Sequence, residues 1–138
     1  MKIAVVAILI FNEKVLLLHR THTPLCWGPP GGELNENESF TAGIKREVFE
    51  ETGLECTVVM PIDTWQGLHD NTPIQSITFI CECNTSRVTL SKEHDAFCWV
   101  PINDLSDWKN LTDFDITLWK NYIQIANFKK LIAEEYCI

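Results

Sequence analysis

Glu47, Glu50 and Glu51 stand at i, i+3 and i+4 of one stretch. On a helix turning about 100° per residue they fall within an arc of roughly 100°. Three carboxylates on one face with no lysine between them repel one another. Oxygen-only clusters of this kind suit a hard divalent ion, Mg2+ or Mn2+. Arg46 precedes Glu50 by four residues, the spacing of an ion pair that would hold one carboxylate in place. Gly43 lies one turn before Glu47 on the same face, where a bare backbone would let a metal-bound phosphate or another segment come close. Glycine inside a helix otherwise costs about 1 kcal/mol against alanine.

These residues require a helix, predicted over 39–52. Ser39 or Glu38 is placed near its N-cap, with Glu38 complementing the helix dipole, and Gly53 is placed as its C-terminal cap. Ile44 and Val48 beside the acidic face, with Ala42 and Phe49 on the far side, predict packing on both flanks. Two apolar runs at 3–10 and 14–20 around Asn12-Glu13-Lys14 read as a buried hairpin. Residues 21–31, with three prolines and two glycines, read as loop or short extended pieces. Further on, 55–67 reads as extended, with Pro61 limiting it to an edge or a bulge. Residues 68–73 read as a turn-rich loop, 75–83 as a strand, 84–95 as a polar surface loop and 97–100 as a short strand. A helical turn at 102–105 and a long helix over 113–136 complete the chain.

Residues 32–54 read GELNENESFTAGIKREVFEETGL. Gly32, Glu38, Arg46-Glu47-Val48, Glu50-Glu51 and Gly53-Leu54 fill every specified position of G-x5-E-x7-R-E-U-x-E-E-x-G-U, where U is a bulky aliphatic. The stretch resembles the signature of the Nudix hydrolases. The approach Trp27-Gly-Pro-Pro-Gly-Gly32 is similar to the W-x-x-P-G-G common in that family, and Phe97 to Pro101 with Leu105 resembles a strand and short helix that often follow its variable loop. The resemblance implies an α/β fold: a single domain over 1–138, built as an α/β/α sandwich with a mixed β-sheet between helices.

It also implies hydrolysis of a nucleoside diphosphate linked to another group, assisted by Mg2+ or Mn2+. Glu50 and Glu51, then Glu47, become the expected metal ligands, and Gly32 is expected to offer its main-chain carbonyl. Glu38 either reaches a metal through water or pins Arg46. The general base is expected on the acidic helix (Glu47 or Glu50) or in the loop before the last strand. Glu93 in that loop resembles an additional metal-binding or catalytic glutamate, with Asp95 as its substitute and His94 as a surface residue. Arg20 at the end of the second strand, with Gly31 and Gly32, is expected to meet the substrate phosphates. His19, His22 and His69 could line the same mouth. Trp27, Trp65, Phe79, Trp99, Trp108 and Phe114 are candidate walls for a base, and Asn103, Asn110, Asp113 and Asp115 candidate readers of its edge.

A 138-residue chain with 46% hydrophobic and 22% charged residues suffices for one globular core. Its net charge of −8 argues against broad binding to long nucleic acid or anionic membranes. A bound metal would reverse that sign locally for a nucleotide. The apolar run at 3–11 is too short to span a bilayer and lacks a small-residue cleavage site. The six cysteines, at 26, 56, 81, 83, 98 and 137, show no metal-ligand spacing and read as reduced core residues of a cytoplasmic protein. The expected partner is a small nucleotide, most simply an ordinary or oxidised (deoxy)nucleoside triphosphate, for a monomer or homodimer. ADP-ribose, a nucleotide sugar, a dinucleoside polyphosphate, or nucleotide sensing without cleavage are the alternatives.

Overall fold

The computed structural model describes residues 1–136; Cys137 lies outside them. Seven strands form one mixed sheet: β1 (Lys2–Phe11), β2 (Lys14–Arg20), β3 (Trp27–Gly28), β4 (Gly31–Glu33), β5 (Cys56–His69), β6 (Thr72–Cys83) and β7 (His94–Pro101). Two helices, α1 (Phe40–Thr52) and α2 (Trp119–Tyr136), cover its two faces. β1 is central, and both of its faces are buried, which explains its unbroken apolar run. Val5, Ala7 and Leu9 pack toward Ile44 and Val48 of α1, while Ile8 packs toward Trp119, Ile123 and Ala126 of α2. The period-two alternation of a strand thus builds two separate cores. Each fully buried Val, Leu or Ile contributes about 1.5–3 kcal/mol.

The β1–β2 hairpin turns at Asn12 and Glu13, both at positive φ. β1 and β2 pair only at Ile10–Val15 and Phe11–Lys14, then splay apart. β4 takes the freed edge of β1, and β3 takes the freed edge of β2. The glycine- and proline-rich segment therefore fills the seam. A Cβ at Gly31 would collide with the Val5 carbonyl oxygen. β6 runs parallel to β1, and β5 pairs antiparallel with β6 at the sheet edge. Pro61 sits on that edge strand beside a bulge.

Several boundaries differ from expectation. Residues 68–73 are not an extended loop. β5 continues to His69, β6 begins at Thr72, and Asp70 and Asn71 alone turn the chain, at φ 50° and 62°. Asn and Asp tolerate this left-handed turn, so the six residues contain only two turn residues. β7 starts at His94 rather than residue 97, because it pairs with the whole of β2. The last helix does not begin at 113. Asp115 accepts hydrogen bonds from the Thr117 amide and hydroxyl, a 3-10 turn covers Ile116–Leu118, and α2 follows. α1 packs on one flank only, since Phe49 is 55% exposed and Ala42 is also exposed.

Candidate active site

α1 starts where the Ser39 hydroxyl accepts a hydrogen bond from the Ala42 amide, 3.1 Å away. It stops at Gly53, in the left-handed conformation at φ 71°. Between these caps, Arg46 gathers the acids. Its Nε and one terminal nitrogen donate to the two oxygens of Glu38 at 2.7 and 2.9 Å. The other terminal nitrogen donates to Glu47 at 2.9 Å and to Glu50 at 3.2 Å. A further bond reaches the Glu33 carbonyl at 3.1 Å, tying α1 to β4. Glu38 is occupied by Arg46 and the Asn35 amide rather than by the helix terminus. The guanidinium holds its carboxyl down to about 2. The surface at Gly43 is taken by the Leu34 side chain, not left open for phosphate.

Glu51 is buried, at 6% exposure. One of its oxygens accepts a 2.7 Å hydrogen bond from the Gly31 amide in the seam. Burial first, and the neighbouring acids with it, pushes its carboxyl up to about 8, only partly opposed by that bond. Burial also raises Glu47, against the pull of Arg46. The Glu47 carboxylate lies against Gly32: a Cβ there would come within 2.6 Å of it. Gly32 thus admits Glu47 to the seam, and the Gly31 amide anchors Glu51 there. Glu50 points outward, its side chain 56% exposed.

The chain before β7 brings two more groups to Glu51. The Glu93 carbonyl accepts hydrogen bonds from the amide and hydroxyl of Thr21, at 3.0 and 3.1 Å, which fixes this segment to the end of β2. The side chains of Glu51, Glu93 and His94 converge, with one potential ligand atom from each within 4.8 Å of the others. His94 is not a surface residue. Its side chain is 10% exposed, and Nδ1 lies 3.7 Å from Glu51. Burial lowers its affinity for a proton. Asp95 turns away to His19, 2.7 Å distant, and is no substitute for Glu93. Arg20 donates to His22 at 2.7 Å, while its buried Nε has no partner.

These groups open into a cavity of about 370 Å³. Arg20, Gly31, Gly32, Glu51, Glu93 and His94 line one part; Trp27, Trp65, Leu68 and Phe114 supply apolar walls. His22, His69 and Asp113 also face it. Other expectations fail on packing. Phe79 is core, Trp99 packs edge-on against Phe11, and Trp108 against Trp27. Asn103 lines a different depression with Lys120 and Gln124, while Asn110 and Asp115 are not among the lining residues of the main cavity. Leu68 and His94 were missed as lining residues. An apolar residue beside a turn was the available signal for Leu68; His94 carried none, because the β-strand it begins reads as loop until it pairs with β2.

The donor set fits a divalent cation. Carboxylates crowd together, one at 2.6 Å from where a side chain at Gly32 would begin, and a buried imidazole nitrogen lacks a partner. Among the described residues, no helix is long and apolar enough to cross a membrane.

The arrangement of sheet and helices matches that of a MutT protein from Methanosarcina mazei Go1, with a TM-score of 0.74, 24% identity and 94% of each chain covered. That likeness defines the fold. The family model described as NUDIX domain matches residues 1–120, and the chain belongs to the Nudix family. A Streptomyces ambofaciens "MutT-like protein" is 29% identical over 107 residues, 76% of this chain and 67% of that protein. A Bacillus subtilis (strain 168) "Putative 8-oxo-dGTP diphosphatase" is 35% identical over 63 residues, 46% of this chain and 42% of that one. The family and its MutT-like members make the chain a pyrophosphohydrolase, acting on phosphoric anhydride bonds.

Proposed function

We propose that the chain hydrolyses a small (deoxy)nucleoside triphosphate, ordinary or oxidised, with Mg2+ or Mn2+ as cofactor. The observation that carries this reading is one cavity lined both by acids and Arg20 and by aromatic side chains. Its volume of about 370 Å³ lies in the range of small-molecule sites. The name of the Bacillus subtilis relative supports an oxidised purine nucleotide within that class.

In this reading Glu47, Glu50 and Glu51, with the Gly32 carbonyl and Glu93, hold the cation. The cation neutralises phosphate oxygens and makes a water more acidic. Arg46 keeps Glu47 and Glu50 from drifting apart under mutual repulsion. Arg20 donates its unpartnered Nε to phosphate, and the Gly31–Gly32 main chain lets the phosphates lie close. Glu93, exposed at the cavity, takes the proton from the attacking water, with Glu47 and Glu50 as the candidates on α1. Trp65 and Phe114 hold the base.

The experiment is a panel of nucleoside triphosphates, 8-oxo nucleotides, nucleotide sugars and dinucleoside polyphosphates, with products resolved by mass. Release of nucleoside monophosphate and pyrophosphate from a triphosphate is expected, and Glu50→Gln should abolish it. Binding of nucleotides with no product from any of them would replace hydrolysis by sensing.

A further inference from the structure

The family signature accounts for the glutamates of α1, but not for the imidazole beside them. His94 is nine-tenths buried, and its Nδ1 has no hydrogen-bond partner among the described residues. A buried polar atom left in that state costs on the order of 1–3 kcal/mol, so it is retained only where something compensates. The 3.7 Å from Nδ1 to the nearer Glu51 oxygen is too long for a hydrogen bond. It is within the roughly 4.2 Å that two donors can span when each lies about 2.1 Å from one ion.

The rest of the geometry agrees. Gly31 satisfies one oxygen of Glu51 and leaves the other, the one nearer His94, to accept something else. Glu93 adds a third donor, the three atoms lying within 4.8 Å of one another. Its exposed side chain can close the remaining gap by rotating. The backbone beneath is fixed, because Thr21 bonds to the Glu93 carbonyl and His94 pairs with Arg20 across the β2–β7 bulge.

We propose that His94 ligates the divalent cation, forming with Glu51 and Glu93 a mixed nitrogen–oxygen site that takes Mn2+ or Co2+ in preference to Mg2+. The proposal rests on the metal-dependent reading above. Imidazole adds affinity for first-row transition ions, more for Co2+ than for Mn2+, whereas Mg2+ selects oxygen and retains its water. A signature built only of glutamates would not discriminate in this way.

The test uses the whole protein loaded with Mn2+ alone and no nucleotide. Pulsed electron paramagnetic resonance reads nitrogen coupled to the ion. Ring-15N histidine labelling should change that modulation, and His94→Ala and His94→Gln should remove it. His22→Ala and His69→Ala, which alter the other cavity histidines, should retain it. Calorimetry should show Mn2+ binding weakened on the order of tenfold or more by His94→Ala, with Mg2+ binding changed less than about threefold. No histidine coupling in the wild type, or coupling lost in His22→Ala or His69→Ala instead, overturns the proposal. Because the readout needs no turnover, coupling at His94 in a protein that cleaves no nucleotide would support the ligand and reject the proposed nucleotide substrate alone.

Discussion

The Gly31 amide donates a 2.7 Å hydrogen bond to the buried carboxylate of Glu51, joining the seam between β1 and β2 to the last turn of α1. That single bond is all that the main chain offers an acid whose surroundings push its carboxyl up to about 8. Its second oxygen faces His94.

Glu51 therefore makes the metal-free protein pH-sensitive. Its folded value of about 8 exceeds the 4.5 of a free glutamate, so the folded state binds this proton more tightly. Metal-free stability should fall as pH rises from about 4.5 through about 8, by an amount on the order of a few kcal/mol. Denaturant unfolding in EDTA across that range measures it. Glu51→Gln should flatten the dependence, and in the wild type Mg2+ or Mn2+ should bind more tightly as pH rises.

Arg46 should resist even conservative replacement. Lysine keeps the charge but cannot reach Glu38, Glu47, Glu50 and the Glu33 carbonyl together. Arg46→Lys is expected to lower kcat at least tenfold and stability by about 1–3 kcal/mol. Steady-state kinetics and urea unfolding check the two effects separately. Full activity in Arg46→Lys would remove the need for the shared guanidinium.

Trp65, 55% exposed on the cavity wall, has little to do in the core. Stacking on a base is worth about 1–3 kcal/mol. Trp65→Ala should raise KM roughly tenfold or more for a nucleotide and leave kcat within about threefold. An unchanged KM would remove Trp65 from the base site.

The C-terminal cap of α1 gives a stability prediction away from the chemistry. Gly53 holds φ 71°, where a side chain is strained. Gly53→Ala should cost about 1–2 kcal/mol, read as a lower denaturant midpoint at unchanged slope.

The local features of α1 were legible in the sequence. Ser39, Gly53 and the Arg46–Glu50 pair act within a few residues, where spacing determines geometry. The signature also identified the fold, because a family pattern carries tertiary information that periodicity lacks. His94 was not legible. Its meaning comes from Glu51, which only the β2–β7 pairing brings near it. Phe49 and Gly43 differ from expectation for the same reason: the sequence shows which helix face each occupies but not that Leu34 covers Gly43 and solvent reaches Phe49. At 68–73, polar composition outweighed strand pairing, although Asp70 and Asn71 carried the turn.

The β5–β6 ribbon runs past the start of β1, whose first residue pairs with Ile74, and this overhang carries Leu68 and His69. Trp65 is just behind it on the same edge strand. Among the described residues, no other strand pairs with the outer side of β5. The tip of the ribbon is thus a cantilever, joined at its root to the sheet, where Trp65 pairs with Ser76 and Ser76 with Ala4 of β1. The acids hang from α1 and the seam, on a separate mechanical foundation. Grafting a longer or shorter tip would retool the mouth while leaving the ion's seat in place, so appetite and chemistry can be exchanged independently in this architecture.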